Sequence, residues 1–182
     1  MMATLRSLFN LVTGRLRFPD DLVGRTVEME DGSQYRIFRH MRLRREHGGG
    51  PGSVLIVRFR FEKGTQESNV RKSRIPIMMI AGCPGFRAKL WMVDEGTGYW
   101  QGLYHWDDVE AIERYKDSFV LRLMNGRAER GTVSYRIVPD RDVDDLLGTL
   151  LVEDHSVQAT RRASDGRAGH ALLRDDRAPV AP

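Results

Sequence analysis

The feature that most constrains this chain is the order of its strand and helix patterns between residues 54 and 139. Strand segments show apolar residues at every second position, whereas helical segments repeat them every three or four positions. The segments are a strand at 54–61, a helix at 67–80, strands at 86–93 and 99–106, a helix from Asp107 or Asp108 through Arg127, and a strand at 132–138. Pro76 is expected to kink or end the first helix.

This order, β-α-β-β-α-β, is the split βαβ arrangement. It predicts an α+β, ferredoxin-like domain at residues 54–139, in which two helices cover one face of an antiparallel sheet. The opposite face is left bare by these elements, so something else must cover it.

The flanking segments predict smaller units around this domain. Residues 1–47 are expected to form an amphipathic helix at 3–17 and a β-hairpin that turns at Asp31-Gly32, packed on the domain. The arginine-rich helix also resembles a transit peptide or a membrane-surface helix. Residues 48–53 form a Gly/Pro joint, residues 140–152 a short helix, and residues 153–182 a disordered tail.

Composition narrows the functional classes. The chain has one cysteine, Cys83, so it has no intrachain disulfide and no cysteine cluster for zinc. We expect Cys83 to be a small buried residue, and we expect no bound metal. No apolar run reaches the roughly 18 residues that a membrane span needs, and we predict a cytoplasmic location. The net charge of +4 is spread along the chain among acidic residues, which does not favour nucleic-acid binding.

Side-chain alternation assigns residues to the two faces of the predicted sheet. In the second strand, Phe86, Ala88, Leu90 and Met92 suit the helix-covered face, so their neighbours should point to the bare face. In the third strand both sets contain aromatic residues, and we favour the set with Gly102 for the bare face. The bare face then carries Arg58, Arg60, Arg87, Lys89, Trp91, Trp100, Gly102, Tyr104, Trp106 and Arg136.

Cations around aromatic rings predict a binding site for an anionic or flat aromatic molecule, with arginine and lysine on its oxygens and rings against its body. The predicted substrate-binding residues are Arg58, Arg87, Lys89, Trp91, Trp100 and Arg136. Under the alternative interpretation, this face is solvated and its cations pair across a dimer with acids such as Asp94, Glu95 or Glu62.

Several local motifs resemble a known group of proteins. They are PGFRAKLW at residues 84–91, YWQGLYHW at 99–106, an acid-started helix with Ala111 and Tyr115, and GTVSY at 131–135. In these motifs the chain resembles the dimeric α/β-barrel superfamily that includes antibiotic-biosynthesis-type monooxygenases, with YdhR-like proteins as the nearest branch. The resemblance spans residues 54–139.

The resemblance implies a homodimer whose sheets face each other, with a pocket between sheet and helices. It also implies oxidation of an aromatic compound by oxygen without a cofactor, because some relatives deprotonate electron-rich phenols that then reduce oxygen themselves. Tyr104 and His105 are the catalytic candidates, although alternation turns His105 away from Tyr104. Two alternatives remain, a non-catalytic small-molecule-binding or dimerisation module and a nucleic-acid-binding or partner-binding protein that uses its arginines.

Overall fold

A computed structural model describes residues 14–44 and 50–151, apart from the side chains at positions 75 and 76. The strands in these residues are β1 (Leu16–Arg17), β2 (Thr26–Glu28), β3 (Gln34–Leu43), β4 (Ser53–Phe59), β5 (Phe86–Val93), β6 (Trp100–Trp106) and β7 (Ser134–Val138). The helices are α1 (Gln66–Lys72), α2 (Ile75–Ile80), α3 (Val109–Lys116), α4 (Phe119–Asn125) and α5 (Val143–Leu150). Most of the predicted N-terminal helix and the predicted tail lie outside the described residues.

The described strands form one antiparallel sheet in the order β1-β3-β5-β6-β4-β7, and β2 also pairs with β3. The run β5-β6-β4-β7 has α1 and α2 between β4 and β5, and α3 and α4 between β6 and β7. This order and these connections are those of a ferredoxin-like βαββαβ domain. The predicted fold class is therefore confirmed.

The N-terminal hairpin extends this sheet. It turns at Asp31-Gly32 as predicted, and Gly32 has the positive φ of +77° that favours glycine there. β3 continues beyond the turn to Leu43 and pairs with β5 over most of its length. The last residues of the predicted N-terminal helix, Leu16–Arg17, instead form a short strand against the end of β3.

Each of the two predicted helices is divided by a break. Pro76 lies in the first turn of α2, where its missing N–H costs no helical hydrogen bond, so a new helix begins there. The second helix is divided at Asp117–Ser118, because the Ser118 hydroxyl accepts a hydrogen bond from the Leu121 N–H at 3.3 Å and starts α4. Asp108 caps α3 in the same way through the Ala111 N–H at 2.7 Å.

Both faces of the sheet are covered. The helical face, as we call the side under α1 to α4, contains a core that includes Leu55, Trp106 and Ile112. The second face lies under α5, and its core includes Leu90, Leu103 and Leu147. The predicted helix at 140–152 is therefore present as α5, and it covers the face that the βαββαβ elements leave bare.

The predicted assignment of β5 to the two faces is wrong beyond its first residue, and a β-bulge is the reason. Phe86 pairs with Trp106, but Ala88 pairs with the neighbouring His105, so Arg87 is an extra residue in β5. One extra residue moves every later side chain to the opposite face. The clusters of buried residues show the result, with Trp91 on the helical face and Ala88, Leu90 and Met92 on the second face.

The predicted assignment of β6 is also wrong. Tyr104 and Trp106 lie on the helical face, where their rings pack near Tyr115, whereas Leu103 packs with α5. The Tyr104 and Trp106 rings pack among the residues of the helical core, whereas the leucines of α5 pack against Leu90 and Leu103. The prediction for β4 is correct, since Leu55 and Val57 face the helices and Val54 and Ile56 face α5.

Candidate functional site

The strongest candidate site is a pocket between the sheet and the helices. Its central residues come from neighbouring positions of β5 and β6. It is lined by Phe59, Phe61, Ser73, Lys89, Trp91, Trp100, Gln101, Gly102, Tyr104, Met124 and Arg127. The enclosed volume is about 10 Å³, close to the roughly 10–15 Å³ that one water molecule needs. We call this space the sheet–helix pocket.

Lys89 is the chemically distinctive residue of the sheet–helix pocket. Its side chain is only 2% exposed, and its Nζ donates a hydrogen bond to the Tyr104 hydroxyl at 2.8 Å. Nζ also lies 3.9 Å from the centre of the Tyr104 ring and 4.3 Å from that of Trp91. A lysine this buried is rare in proteins unless a partner neutralises its charge.

No carboxylate is among the side chains that line the sheet–helix pocket. Burial lowers the pKa of Lys89 well below its ordinary value, and the positive charge of Arg39 lowers it further. Both effects favour the neutral amine, whose nitrogen has a free electron pair. The surroundings therefore equip Lys89 as a base or a nucleophile.

Tyr104 connects Lys89 to a second tyrosine on α3. Burial raises the pKa of both Tyr104 and Tyr115, so both phenols are protonated at neutral pH. Their mutual hydrogen bond lowers the pKa of Tyr104 and raises that of Tyr115, as expected if Tyr115 donates to Tyr104. The Tyr104 oxygen then accepts from both neighbours, and the three side chains form a hydrogen-bonded row.

Arg39 of β3 supports the far wall of the pocket. Its guanidinium donates to the Ser73 Oγ at 2.6 Å and to the Val70 carbonyl at 3.3 Å, and it lies 5.7 Å from the Trp91 ring centre. Sequence reasoning missed Arg39, Ser73 and Tyr115 as site residues. The pairing of β3 with β5, which brings Arg39 here, has no local signal in the sequence.

Two features near the sheet centre affect the shape of the pocket. A Cβ atom at Gly102 would lie 2.4 Å from the Tyr104 Cε2, so the space beside Gly102 holds the Tyr104 ring. The indole N–H of Trp91 is buried and has no hydrogen-bond partner among the described residues. An unpaired buried donor favours an oxygen-bearing ligand, because such a group is costly to leave unsatisfied.

The predicted arrangement of cations on one face is wrong, because the structure divides them between three places, the second face, the β5 bulge and the sheet–helix pocket. Arg58 and Arg136 lie on the second face, where they pair with Asp31 at 3.1 Å and Glu30 at 2.5 Å. Arg87 occupies the bulge and binds Asp107 at 2.8 Å and the Gly50 carbonyl at 2.7 Å. Of the predicted substrate-binding residues, Lys89, Trp91 and Trp100 come together in the sheet–helix pocket.

His105 lies across the sheet from Tyr104, as alternation predicted. Its Nε2 is 2.8 Å from the Pro51 carbonyl and 3.9 Å from the Asp142 carboxylate. Burial is the main cause that lowers its pKa, so the ring is neutral at pH 7. The structure does not bring His105 into the sheet–helix pocket, and the ring instead holds the chain entering β4.

Other reactive groups in the described residues do not form a second site. Burial raises the pKa of the Cys83 thiol to about 11, so Cys83 is a protonated, partly buried side chain at neutral pH. No group of three or more His, Cys, Asp or Glu side chains in residues 14–44 and 50–151 could hold a metal ion. Within the same residues, no helix has the length and apolar character needed to cross a bilayer.

Comparison with known proteins gives structural matches only. The sequence matches no protein-family model and no curated protein. A ferredoxin-fold protein from Listeria monocytogenes, related to antibiotic biosynthesis monooxygenases, has a TM-score of 0.48 and 11% identity, over 63% of this chain and 68% of its own. A heme-degrading enzyme from Listeria monocytogenes has a TM-score of 0.46 and 12% identity, over 72% of this chain and 91% of its own.

An anthrone oxidase-like protein is a further match, with a TM-score of 0.44 and 16% identity, over 66% of this chain and 55% of its own. These TM-scores lie below 0.5, so the matches carry no argument about activity. They include proteins of the kind that residues 54–139 resemble, while the YdhR-like branch stays a prediction. The chain has a ferredoxin-like fold, and the strand order of its own sheet is what establishes it.

Proposed function

We propose that this protein binds a small aromatic or anionic molecule in the sheet–helix pocket and oxidises it with molecular oxygen, without a cofactor. One observation carries the proposal. A lysine without a carboxylate partner lies beneath four helices, 2.8 Å from a tyrosine hydroxyl and against aromatic rings. A side chain that serves packing alone would not need an amino group there, because burying it is costly.

The chemistry follows from the residues of the pocket. The neutral amine of Lys89 removes a proton from an electron-rich substrate, such as a CH₂ group between aromatic rings, and the Tyr104 hydroxyl holds the amine in place. Trp91 and Trp100 provide faces for the substrate rings, and the unpaired Trp91 N–H provides a donor for a substrate oxygen.

The substrate anion then supplies the electrons that reduce oxygen. One atom of O₂ bonds to the carbon that lost the proton, and the second atom leaves as water with the two hydrogens that the CH₂ group gives up. The CH₂ group becomes a carbonyl, and no external reductant is consumed. The protein's contribution is the base, the orientation of the rings and the exclusion of water.

Entry of such a molecule requires the pocket to open. The half-buried side chains Phe61, Met124 and Arg127 lie on its lining and are the ones that can move without disturbing the sheet. Methionine suits this role because its unbranched side chain adapts to different shapes. The expected change is a movement of these side chains, with the Lys89–Tyr104 pair staying in place.

A second candidate function is a non-catalytic binding or dimerisation module. The small enclosed volume favours this second function. A closed protein core around the hydrogen-bonded Lys89, Tyr104 and Tyr115 side chains would also leave space for only one water molecule. The homodimer stays a prediction. A dimer that pairs its sheets through the second face would first have to displace α5, which occupies that face.

The two functions are separated by a ligand screen followed by an oxygen measurement. Aromatic acids and hydroxylated polycyclic compounds are screened by thermal shift with the wild-type chain, Lys89→Met and the control Lys116→Met. We expect hits that raise the melting midpoint of wild type and control, and that lose most of this effect in Lys89→Met.

Hits are then incubated with ¹⁸O₂ in an oxygen electrode. The monooxygenase proposal requires uptake that depends on Lys89 and a product that carries one labelled oxygen atom. Binding without oxygen uptake would instead support the non-catalytic module, and the absence of any hit would count against both.

A further inference from the structure

Lys89 differs from every other lysine of this protein. The chain has four lysines, and the other three, Lys63, Lys72 and Lys116, are exposed or partly exposed. Lys89 alone is buried, and its Nζ donates a hydrogen bond to the Tyr104 hydroxyl. Because lysines are so few, the reactivity of each amino group can be measured separately in the intact protein.

The groups that face Lys89 come from three elements and from the chain after α4. They are Arg39 of β3, Tyr104 of β6 with Tyr115 of α3 behind it, and Arg127 at the pocket lining. Neither arginine forms an ion pair with a described carboxylate. The surroundings of Nζ are therefore apolar and electropositive, which opposes protonation of the amine and leaves its electron pair free.

We propose that Lys89 is an amine nucleophile that condenses with the carbonyl group of a small anionic aldehyde or keto acid, forming a Schiff base in the sheet–helix pocket. The amine nitrogen and the tyrosine hydroxyl, 2.8 Å apart, supply the nucleophile and the proton carrier of this reaction. Arg127 on the pocket lining, with Arg39 behind Ser73 and Trp91, supplies the positive charge that attracts the anionic group.

The reaction balances without any further reactant. The nitrogen electron pair bonds to the carbonyl carbon, the C=O π pair moves to oxygen, and a proton from nitrogen passes to that oxygen through the Tyr104 hydroxyl. The resulting carbinolamine then loses water as the second nitrogen proton leaves and the C=N bond forms. Amine and carbonyl compound thus give imine and water, and nothing is oxidised or reduced.

This activity uses the same pocket as the proposed oxygenation but does not depend on it. A base takes a proton from the substrate and keeps no bond to it, whereas a nucleophile becomes covalently attached. The covalent bond makes the proposal testable without knowledge of the natural substrate, because a reducing agent converts the imine into a permanent secondary amine.

The test uses the full chain at pH 7 with glyoxylate as probe and cyanoborohydride as reductant, followed by peptide mapping of all four lysines. We expect Lys89 to be labelled at least about tenfold faster than the other three, since it alone has a buried amine next to a tyrosine hydroxyl that can carry the proton. Labelling of Lys89 at or below the rate of Lys116 would overturn the proposal.

The pH dependence gives a second readout that packing alone would not produce. Any amine that is protonated at pH 7 gains neutral fraction, and with it labelling rate, by about tenfold per pH unit between pH 7 and pH 9. The rate at Lys89 should change far less, and an equally steep rise would contradict a neutral amine. Acetaldehyde tests the arginines, because labelling as fast as with glyoxylate would refute the preference for an anion.

Two variants assign the roles. Tyr104→Phe should slow labelling of Lys89 about 100-fold, the lower end of the range for loss of a general acid–base group, while the other three lysines react as before. Lys116→Met is the matched control and should leave Lys89 labelling unchanged. Labelling without oxygen uptake would support the Schiff base and count against the oxygenation, and uptake without labelling would do the reverse.

Discussion

At the scale of single residues, the burial of Lys89 connects the pocket to the stability of the protein. At any pH between the folded-state pKa and the unfolded-state pKa of Lys89, the amine is neutral in the native state and protonated in the unfolded chain. In that range the unfolded state binds one proton more, so the native state gains stability as the pH rises. The gain ends near the unfolded pKa of about 10.4.

Lys89→Met removes this term, so the difference in free energy of unfolding between wild type and variant should depend on pH. We expect the wild type to gain on the variant from pH 7 to pH 9, by at most about 1.4 kcal/mol per pH unit for a single proton. Urea unfolding of both proteins at several pH values measures this difference in free energy. Lys116→Met controls for the loss of one lysine, and a pH-independent difference would contradict the buried neutral amine.

At the scale of structural elements, the chain entering β4 depends on a glycine. Gly52 has a φ of +79°, and a Cβ atom there would lie 2.3 Å from the Trp106 carbonyl oxygen and 2.6 Å from the His105 Nε2. The backbone of β6 cannot yield as a flexible side chain would. Any residue larger than glycine must therefore separate the start of β4 from the end of β6.

Gly52→Ala should destabilise the protein by about 3 kcal/mol or more, since a positive φ with a Cβ costs roughly 1–2 kcal/mol and the contact adds to it. Gly98→Ala is the matched control, because Gly98 has a φ of +74° and nothing within 4 Å of the added Cβ. Chemical denaturation of both variants separates the cost of the close contact from the cost of a positive φ in a residue with a Cβ. Equal losses of stability in the two variants would show that the close contact at position 52 is relieved at no cost.

The elements also show what sequence can and cannot predict here. The strand and helix order of residues 54–139 followed from periodicity alone, because apolar spacing has a direct physical cause in each element. The sequence did not predict which face each β5 side chain occupies. Arg87 is an extra residue that moves every later side chain to the opposite face, and a bulge has no local signal in the sequence. Lys89, Trp91 and Tyr104 lie close together, as alternation predicted, but on the opposite side of the sheet.

At the scale of the whole molecule, α5 closes the second face with four buried apolar side chains. We expect Leu147→Asp to loosen this helix, because a carboxylate at a position 2% exposed would be buried without a partner. The loss should exceed about 3 kcal/mol and expose the apolar face, which increased dye binding and self-association would reveal.

Gly148→Asp places the same carboxylate on the adjacent, exposed position of α5 and is the matched control. It should leave dye binding and the molecular mass in solution unchanged. If Leu147→Asp behaved like this control, α5 would not be what covers the second face.

Because the cover of the second face belongs to the same polypeptide, its docking is a unimolecular event. Its effective concentration is set by the short connection from β7 to α5, residues 139–142, and not by how many protein molecules surround it. Dilution therefore leaves this apolar face covered. The stabilisation that α5 provides should not depend on the protein concentration.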